Sequence, residues 1–217
     1  MDYFPLVLSL WVSVLATSLI AVFGTLIAYV LARKRFLGRT MLDAFTTLPM
    51  ILPPTVTGYY LIILLGKNGI IGNYIYNVTG WSIMFTWQAA VIAATVVAIP
   101  IMIKSAKAAI ESVDLEYEKA AFTLGKSEIE TFFLVTLPLA KKGLIAGLVL
   151  SFARALGEFG ATIMIAGNIP GKTSTMPLAI YRAFLSGDDQ LATTLVIFLT
   201  VVSIAVIYIT TKISRTD

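Results

Sequence analysis

The chain has 217 residues, of which 58% are hydrophobic and only 13% are charged, and its mean hydropathy is +0.90. A soluble domain carries roughly twice this share of charged residues, so the composition indicates an integral membrane protein. The sequence contains neither cysteine nor histidine, which excludes disulfides, thiolate chemistry, and metal sites or proton relays built on histidine. We expect no cofactor and no metal site. Membrane topology explains the net charge of +4, so we expect no nucleic-acid partner either.

Apolar runs of about 20 residues, the length needed to cross a bilayer, recur along the chain. The first run has no charged residue and is too long for a signal peptide. We predict a single all-α transmembrane domain over residues 1–217, a polytopic helical bundle with five transmembrane helices and a cytoplasmic coupling-helix loop. The predicted spans are residues 6–32, 41–66, 84–103, 144–165 and 191–211. Residues 67–82 and 167–190 are expected to be loops.

Prolines interrupt the second predicted span. Pro49, Pro53 and Pro54 are followed closely by Thr55 and Thr57. Each proline removes a helix hydrogen bond and frees a carbonyl, which inside a membrane must face protein or a wet cavity. Broken helices often line transport sites, so the two threonines are candidates for a polar path. A simple structural kink is the alternative.

The longest polar interval, residues 112–138, lies between the third and fourth predicted spans. Gly125 is expected to end a short charged helix, because glycine tolerates the left-handed conformation of a helix end. Ser127 is suited to cap a second short helix, with two glutamates in its first turn. Pro138 is expected to bend the chain back towards the membrane. The pattern predicts a helix–glycine–helix unit that fits another protein's groove, with a plain surface loop as the alternative.

Lysine and arginine are distributed unequally between the two sides of the predicted bundle. With the N-terminus outside, twelve of the sixteen fall in cytoplasmic segments, three fall in outer loops, and Arg154 lies within a span. The cytoplasmic segments are residues 33–40, 104–142 and 212–217. The positive-inside rule therefore predicts an outer N-terminus and a cytoplasmic C-terminus, with residues 112–138 in the cytoplasm.

The fourth predicted span carries charged residues at membrane depth. Arg154 and Glu158 would share one face of a continuous helix and could pair, and Ser151 and Thr162 would extend that face. The span also contains glycines that would allow close approach of a neighbouring helix, Gly157 and Gly160. A charge in mid-membrane is costly and marks a polar path or cavity by default. A structural salt bridge that locks two helices or two subunits is an equal alternative.

The polar interval resembles the coupling loop of ABC-transporter permeases. The pattern of that loop is Glu-Ala-Ala, three residues, Gly, nine residues, Ile, one residue and Leu-Pro. The residues at this spacing are Ala120, Ala121, Gly125, Val135, Leu137 and Pro138. Lys119 stands where the pattern has glutamate, with Glu118 one place earlier, and Val135 replaces isoleucine.

Three further segments indicate which subgroup of ABC-transporter permeases the chain resembles. Residues 154–162 read Arg-Ala-Leu-Gly-Glu-Phe-Gly-Ala-Thr, and residues 167–173 read Gly-Asn-Ile-Pro-Gly-Lys-Thr. Together with residues 48–59, they resemble the permease subunits of molybdate ABC transporters, and the resemblance runs from about residue 6 to 212. Tungstate permeases are the nearest alternative, because the two oxyanions are almost equal in size and charge. Sulfate permeases share the general pattern.

This resemblance implies a type I ABC importer in the cytoplasmic (inner) membrane of a prokaryote. Its expected partners are a second copy of the chain, a cytoplasmic ABC ATPase homodimer, an extracytoplasmic oxyanion-binding protein and the lipid bilayer. The residues implied in ATPase coupling are Glu118, Ala120, Ala121, Gly125, Leu137 and Pro138. The residues implied in the translocation path are Ser151, Arg154, Glu158, Thr162, Thr55 and Thr57.

The resemblance implies a transport subunit rather than an enzyme, with ATP hydrolysed by a partner subunit and no catalytic residue in this chain. The sequence agrees, because it lacks the Gly-x4-Gly-Lys-Ser/Thr run of a nucleotide-binding loop. A passive anion channel is the rival function from another class, since broken helices and a charge pair suit one. The polar interval discriminates between them, because a channel has no use for a coupling loop.

Overall fold

The computed structural model describes residues 3–215, except for the side chains of residues 209–211 and 213–215. Within this part of the chain every regular element is helical, which confirms the expected all-α bundle. Residues 216–217 and the Arg215 side chain, in the segment predicted to be cytoplasmic, lie outside the described residues. The first six helices are α1 Phe4–Arg33, α2 Arg39–Ile51, α3 Pro54–Leu65, α4 Ile70–Thr79, α5 Trp87–Glu111 and α6 Leu115–Thr123. The remainder are α7 Glu128–Thr131, a π-helical turn Phe132–Thr136, α8 Leu137–Leu156, α9 Gly160–Ala166, α10 Met176–Leu185 and α11 Asp189–Arg215.

Four of the described helical runs are long and apolar enough to cross a membrane. They are Phe4–Arg33, Trp87–Glu111, Glu128–Leu156 and Asp189–Tyr208. A fifth crossing results if α2 and α3 are counted together, although their axes differ by 116°. Pro53 and Pro54 account for this bend: the backbone is extended at residues 52–53, and Pro54 occupies the first turn of α3, where a missing N–H is tolerated.

The centre of the bundle is formed by α1 and α5, and α8 packs against both. Glycines bring these helices together. A Cβ atom at Gly24 of α1 would lie 2.9 Å from Met102 Cγ of α5, and one at Gly147 of α8 would lie 2.8 Å from Ser105 Cβ. Small residues at such contacts let membrane helices gain dispersion energy through close packing.

Two segments predicted to be loops contain helices, so those predictions were wrong in part. Residues 67–82 hold α4, which ends at Gly80 in the left-handed conformation, with φ +70°. Residues 167–190 hold α10, which buries Met176, Ala179 and Ala183 on one face. That spacing is helical, and Pro177 does not oppose it because it lies in the first turn.

The third and fourth predicted spans also differ from the helices observed. The third was predicted to end at residue 103, but α5 continues to Glu111. The fourth, predicted as residues 144–165, is broken, because α8 ends at Leu156 and α9 begins at Gly160. Side-chain capping explains the break, since Glu158 accepts a hydrogen bond from the Ala161 N–H that a continuous helix would direct to a backbone carbonyl.

Candidate functional site

The helix–glycine–helix unit predicted from local chemistry is present. The Asp114 side chain caps the start of α6 by accepting from the Glu116 N–H at 2.9 Å. Gly125 follows α6 with φ +80°, the left-handed conformation that ends helices. Ser127 and Glu130 then form a reciprocal capping box, in which Ser127 Oγ accepts from the Glu130 N–H and Glu130 Oε2 accepts from the Ser127 N–H.

The second arm of the unit is not a separate short helix, and the bend expected at Pro138 is absent from this described segment. From Glu128 to Leu156 the chain forms one helical run. The π-helical turn Phe132–Thr136 precedes the proline, and the Leu137 N–H bonds to the Phe132 carbonyl. Because a π turn is wider than an α turn, it makes room for the proline ring, which lies in the first turn of α8. The coupling segment, residues 112–138, is therefore continuous with a membrane helix.

The first arm, α6, presents apolar side chains away from the bundle. The exposed apolar residues around it are Leu115, Tyr117, Phe122 and Leu124. Ala120 is exposed beside them, and Lys119 points outward in an ion pair with Glu116. The Glu116 carboxylate accepts a hydrogen bond from Lys119 Nζ and raises the pKa of the lysine. An apolar patch rimmed by charges suits contact with another protein.

The coupling candidates divide between surface and interior. Ala120, Gly125 and Pro138 are exposed, and Leu137 is half-buried. Ala121 and Glu118 are buried, at 7% and 6% exposure. Glu118 faces the end of α1, where Arg33 Nη2 lies 2.9 Å from its Oε1.

The ion pair predicted in the fourth span is confirmed, but not for the expected reason. Arg154 Nη1 lies 2.8 Å from Glu158 Oε2, although the two residues do not share a continuous helix. Glu158 lies in the break between α8 and α9, and its other oxygen accepts from the Ala161 N–H at 2.8 Å. The Glu158 side chain is 1% exposed and that of Arg154 is 33% exposed. The Glu158 carboxylate therefore pairs with a cation on α8 and accepts a hydrogen bond from the first turn of α9.

The break in the fourth span lies against the break in the second. A Cβ atom at Gly160, the first residue of α9, would lie 2.9 Å from Pro54 Cβ and 3.2 Å from the Thr55 backbone nitrogen. One at Gly58 of α3 would lie 2.9 Å from Ala161 Cα. Two helices that each begin after a break thus pack near their first turns, and Gly160 has the close-approach role predicted for it. The same prediction for Gly157 was wrong among the described residues, since a Cβ atom there would find only the Ala153 carbonyl oxygen of its own helix, at 3.8 Å.

The path candidates are placed around these breaks in different ways. Ser151, Thr57 and Thr162 are buried, and Thr55 is exposed. The hydroxyls of Ser151 and Thr57 make no hydrogen bond to any described residue. A buried hydroxyl without a protein partner is costly unless water or a ligand reaches it, which fits a polar route better than a sealed core.

The sequence of residues 20–215 matches the family model described as "Binding-protein-dependent transport system inner membrane component". The chain belongs to this transport family. It is therefore a multi-pass inner-membrane permease component of an ABC importer and not itself the catalytic subunit. Membership of the family implies an ATPase and a substrate-binding protein as partners.

Individual family members are similar over most of their length. The putative molybdenum transport system permease protein YvgM of Bacillus subtilis (strain 168) is 44% identical over 204 residues, 94% of this chain and 90% of the relative. Molybdenum transport system permease protein ModB of Escherichia coli (strain K12) is 45% identical over 180 residues, 83% of this chain and 79% of the relative. Sulfate transport system permease protein CysT of Escherichia coli (strain K12) is 42% identical over 160 residues, 74% of this chain and 57% of the relative.

A solved structure shows the same fold at low sequence identity. A chain of the inward facing MetNI methionine ABC transporter superposes with a TM-score of 0.71 at 18% identity, and the match covers 100% of this chain and 99% of that one. The likeness supports the architecture of this transport-family member and carries no information about its substrate.

Sequence reasoning missed the residues that hold the coupling segment to the bundle. Arg33 was interpreted only as one of the positive charges that set the topology, and Thr136 was not singled out. Both meet at Glu118, since Thr136 Oγ1 donates to Glu118 Oε1 at 2.8 Å. No local pattern identifies either residue, because 85 residues separate Arg33 from Glu118 in the chain.

Proposed function

We propose that this chain is the permease subunit of an ATP-driven importer that carries molybdate across the cytoplasmic membrane. The observation that carries this proposal is the similarity, over nearly the whole chain, to relatives whose names specify molybdenum transport. The relative named for sulfate transport aligns over a smaller share of its own length. Tungstate is close to molybdate in size and charge, so selection between the two falls to an extracytoplasmic oxyanion-binding protein.

The working assembly is two copies of this chain with two cytoplasmic ATPase subunits and one outer binding protein. The unequal distribution of positive charges supports an outer N-terminus and a cytoplasmic C-terminus. In this orientation the exposed apolar surface of α6 faces the ATPase. The sequence lacks a nucleotide-binding loop of the Gly-x4-Gly-Lys-Ser/Thr type, in keeping with ATP hydrolysis by the partner.

The coupling segment acts as the contact that receives force from the ATPase. Ala120 and Gly125 lie at the exposed end of the unit, where small residues allow close approach of a partner. Leu137 and Pro138 lie where the second arm joins α8, so displacement of this arm moves a membrane helix directly. Ala121 and Glu118 act from the inner side of α6, by fixing its position.

The translocation path runs beside the two broken spans. Buried hydroxyls at Ser151, Thr57 and Thr162 offer donors to an oxyanion, and Thr55 lies at the start of α3. The Arg154–Glu158 pair has no net charge, so it holds no anion while it is closed. A change of partner by Arg154 during the transport cycle would free its guanidinium for the substrate.

Reconstitution tests the proposal. The chain is placed in vesicles with its ATPase and binding protein, and uptake of radiolabelled molybdate is measured with and without ATP, in competition with tungstate and sulfate. We expect uptake that requires both ATP and the binding protein and that sulfate competes weakly. Uptake that continues without ATP would instead identify a passive channel, and preferential uptake of sulfate would reassign the substrate.

A further inference from the structure

Arg33, at the last residue of α1, holds the coupling segment through a buried polar cluster. Its Nη2 and Nε atoms lie 2.9 and 3.0 Å from Glu118 Oε1, and Nη2 also donates to the Val113 carbonyl at 2.9 Å. Thr136 Oγ1 donates to the same Glu118 oxygen at 2.8 Å. The Arg33 cluster (Arg33, Val113, Glu118 and Thr136) therefore joins three parts of the chain: the end of α1, the first coupling arm, and the π-helical turn before α8.

Burial distinguishes this cluster from the other ion pairs at the cytoplasmic end. The side chains of Arg33 and Glu118 are 11% and 8% exposed. The neighbouring pair, Lys34 with Glu128, also links α1 to the coupling segment, but its side chains are 48% and 46% exposed. A shielded pair with additional hydrogen bonds fixes geometry, whereas an exposed pair contributes little.

The cluster joins α6 directly to α1 and to the π-helical turn. The helix itself contacts other elements only sparsely, whereas α1 packs along its length against α5 and also against α8. A displacement of α6 reaches the membrane helices along the chain in both directions, back to α5 through residues 112–114 and on through α7 to α8. The Arg33 cluster adds a route to α1, which is not adjacent to α6 in the chain.

We propose that Arg33 and Glu118 are positioning residues for coupling, which fasten α6 to α1 so that α1, α6 and the start of α8 move as one body. This inference rests on the proposed function, since it presupposes an ATPase that displaces α6. Arginine suits the role because its planar fork serves Glu118 and the Val113 carbonyl together, which a lysine ammonium cannot reproduce in the same geometry.

The test measures molybdate imported per ATP hydrolysed by the complete transporter in vesicles. We expect Arg33→Ala and Glu118→Ala to lower this ratio about tenfold, within the range by which residues outside a binding site modulate coupling, while the ATPase stays bound and hydrolyses ATP. Lys34→Ala is the matched control. It removes the same charge and one ion pair from the same end of α1, and we expect a ratio within about twofold of the unaltered chain.

A chemical cross-link in place of the Arg33–Glu118 ion pair distinguishes a role in coupling from a general effect on stability. The chain has no cysteine, so in a double variant, Arg33→Cys with Glu118→Cys, the two introduced thiols are the only ones in this chain. A bis-maleimide with a spacer about as long as the two lost side chains can bridge them, because each thiol adds to one maleimide. We expect a low import ratio before bridging and recovery after it. A ratio that stays low after bridging, or alanine variants that assemble and couple normally, would overturn the inference.

Measuring the unaltered chain first distinguishes failure of the proposed function from failure of this inference alone. Failure of the unaltered chain to import molybdate with ATP would overturn the proposed function, and this inference with it. Normal import by the unaltered chain, with no difference between the Arg33 and Lys34 variants, would overturn this inference alone. Where an alanine variant does not assemble, Glu118→Gln decides: a several-fold lower ratio supports the role, and an unchanged ratio refutes it.

Discussion

Arg154 and Glu158 form an ion pair across a break in a membrane helix, with Nη1 2.8 Å from Oε2, although α8 ends at Leu156. The same glutamate holds the first turn of α9 through the Ala161 N–H. One carboxylate thus connects the end of one helix with the start of the next. The two roles are separable, because amide and carboxylate side chains both accept hydrogen bonds but only the carboxylate balances a charge.

We predict that Glu158→Gln impairs transport and stability by leaving Arg154 without a counter-ion. Removing one partner of a fully buried pair costs about 3–5 kcal/mol, and partial exposure of Arg154 reduces our expectation to about 1–3 kcal/mol. Glu158→Ala also loses the hydrogen bond to α9 and should cost about 0.5–2 kcal/mol more. Thermal unfolding of the purified transporter and molybdate uptake measure both effects.

The double variant Arg154→Met with Glu158→Gln is the control for this prediction. It removes the unpaired charge while retaining the α9 hydrogen bond, so stability should return towards that of the unaltered chain. Full transport by Glu158→Gln alone would show that the pair has no part in the path.

Gly125 provides a test of the coupling segment. Its backbone conformation, and not a lack of space around it, limits which residues can replace it. Its φ is +80°, and an added Cβ would meet no atom within 4 Å. Valine in the left-handed region costs about 1–2 kcal/mol, whereas asparagine tolerates it. We predict that Gly125→Val lowers uptake per ATP by shifting α6 relative to α7, without unfolding the bundle, and that Gly125→Asn couples normally. Equal coupling by the two variants would contradict this.

Ala121 differs from Gly125, since its side chain is buried on the inner side of α6. We predict that Ala121→Leu also uncouples transport, but by pushing α6 outwards, at a cost typical of overpacking, about 1–3 kcal/mol. Ala120→Leu, on the exposed face, should leave stability unchanged, which thermal unfolding can verify. Comparable melting temperatures for the two leucine variants would count against the inward placement of Ala121.

The contact between α3 and α9 predicts that two glycines three residues apart differ in their tolerance of alanine. A Cβ atom at Gly160 would lie 2.9 Å from Pro54 Cβ, whereas one at Gly157 would find only the Ala153 carbonyl oxygen, at 3.8 Å. We predict that Gly160→Ala destabilises the protein by about 1–3 kcal/mol and Gly157→Ala hardly at all. Urea or thermal unfolding distinguishes them, and a tolerant Gly160 would mean that the two first turns do not touch.

Local chemistry in the sequence predicted the joint of the coupling segment correctly. Gly125 and Ser127 act through their own backbone and the next few residues, so their roles can be recognised without knowing the fold. The π-helical turn could not be anticipated, because Pro138 ordinarily signals a bend and nothing nearby indicates that a wider turn absorbs it.

Contacts between residues far apart in the chain could not be predicted from sequence patterns. Arg33 carried a correct topological meaning, yet its partner Glu118 lies 85 residues away and no periodicity connects them. The spacing of Arg154 and Glu158 predicted their pairing correctly, but the assumed continuous helix was wrong because Glu158 caps α9 instead of continuing α8. Helix periodicity assumes that polar side chains do not compete for backbone N–H groups, and Glu158 does so at this break.

The last prediction concerns membrane orientation. It can be tested by labelling introduced cysteines, because the sequence contains no cysteine of its own. Single cysteines are introduced as Lys126→Cys in the coupling segment and Lys172→Cys in a predicted outer loop, both at exposed positions. A membrane-impermeant maleimide added to right-side-out vesicles should label only the second variant, because the positive-inside rule predicts that residues 112–138 lie in the cytoplasm. Lys126→Cys should react once detergent opens the vesicles and releases the ATPase. Labelling of Lys126→Cys from outside would place α6 where no cytoplasmic ATPase reaches it, and an ATP-driven importer could not work in that orientation.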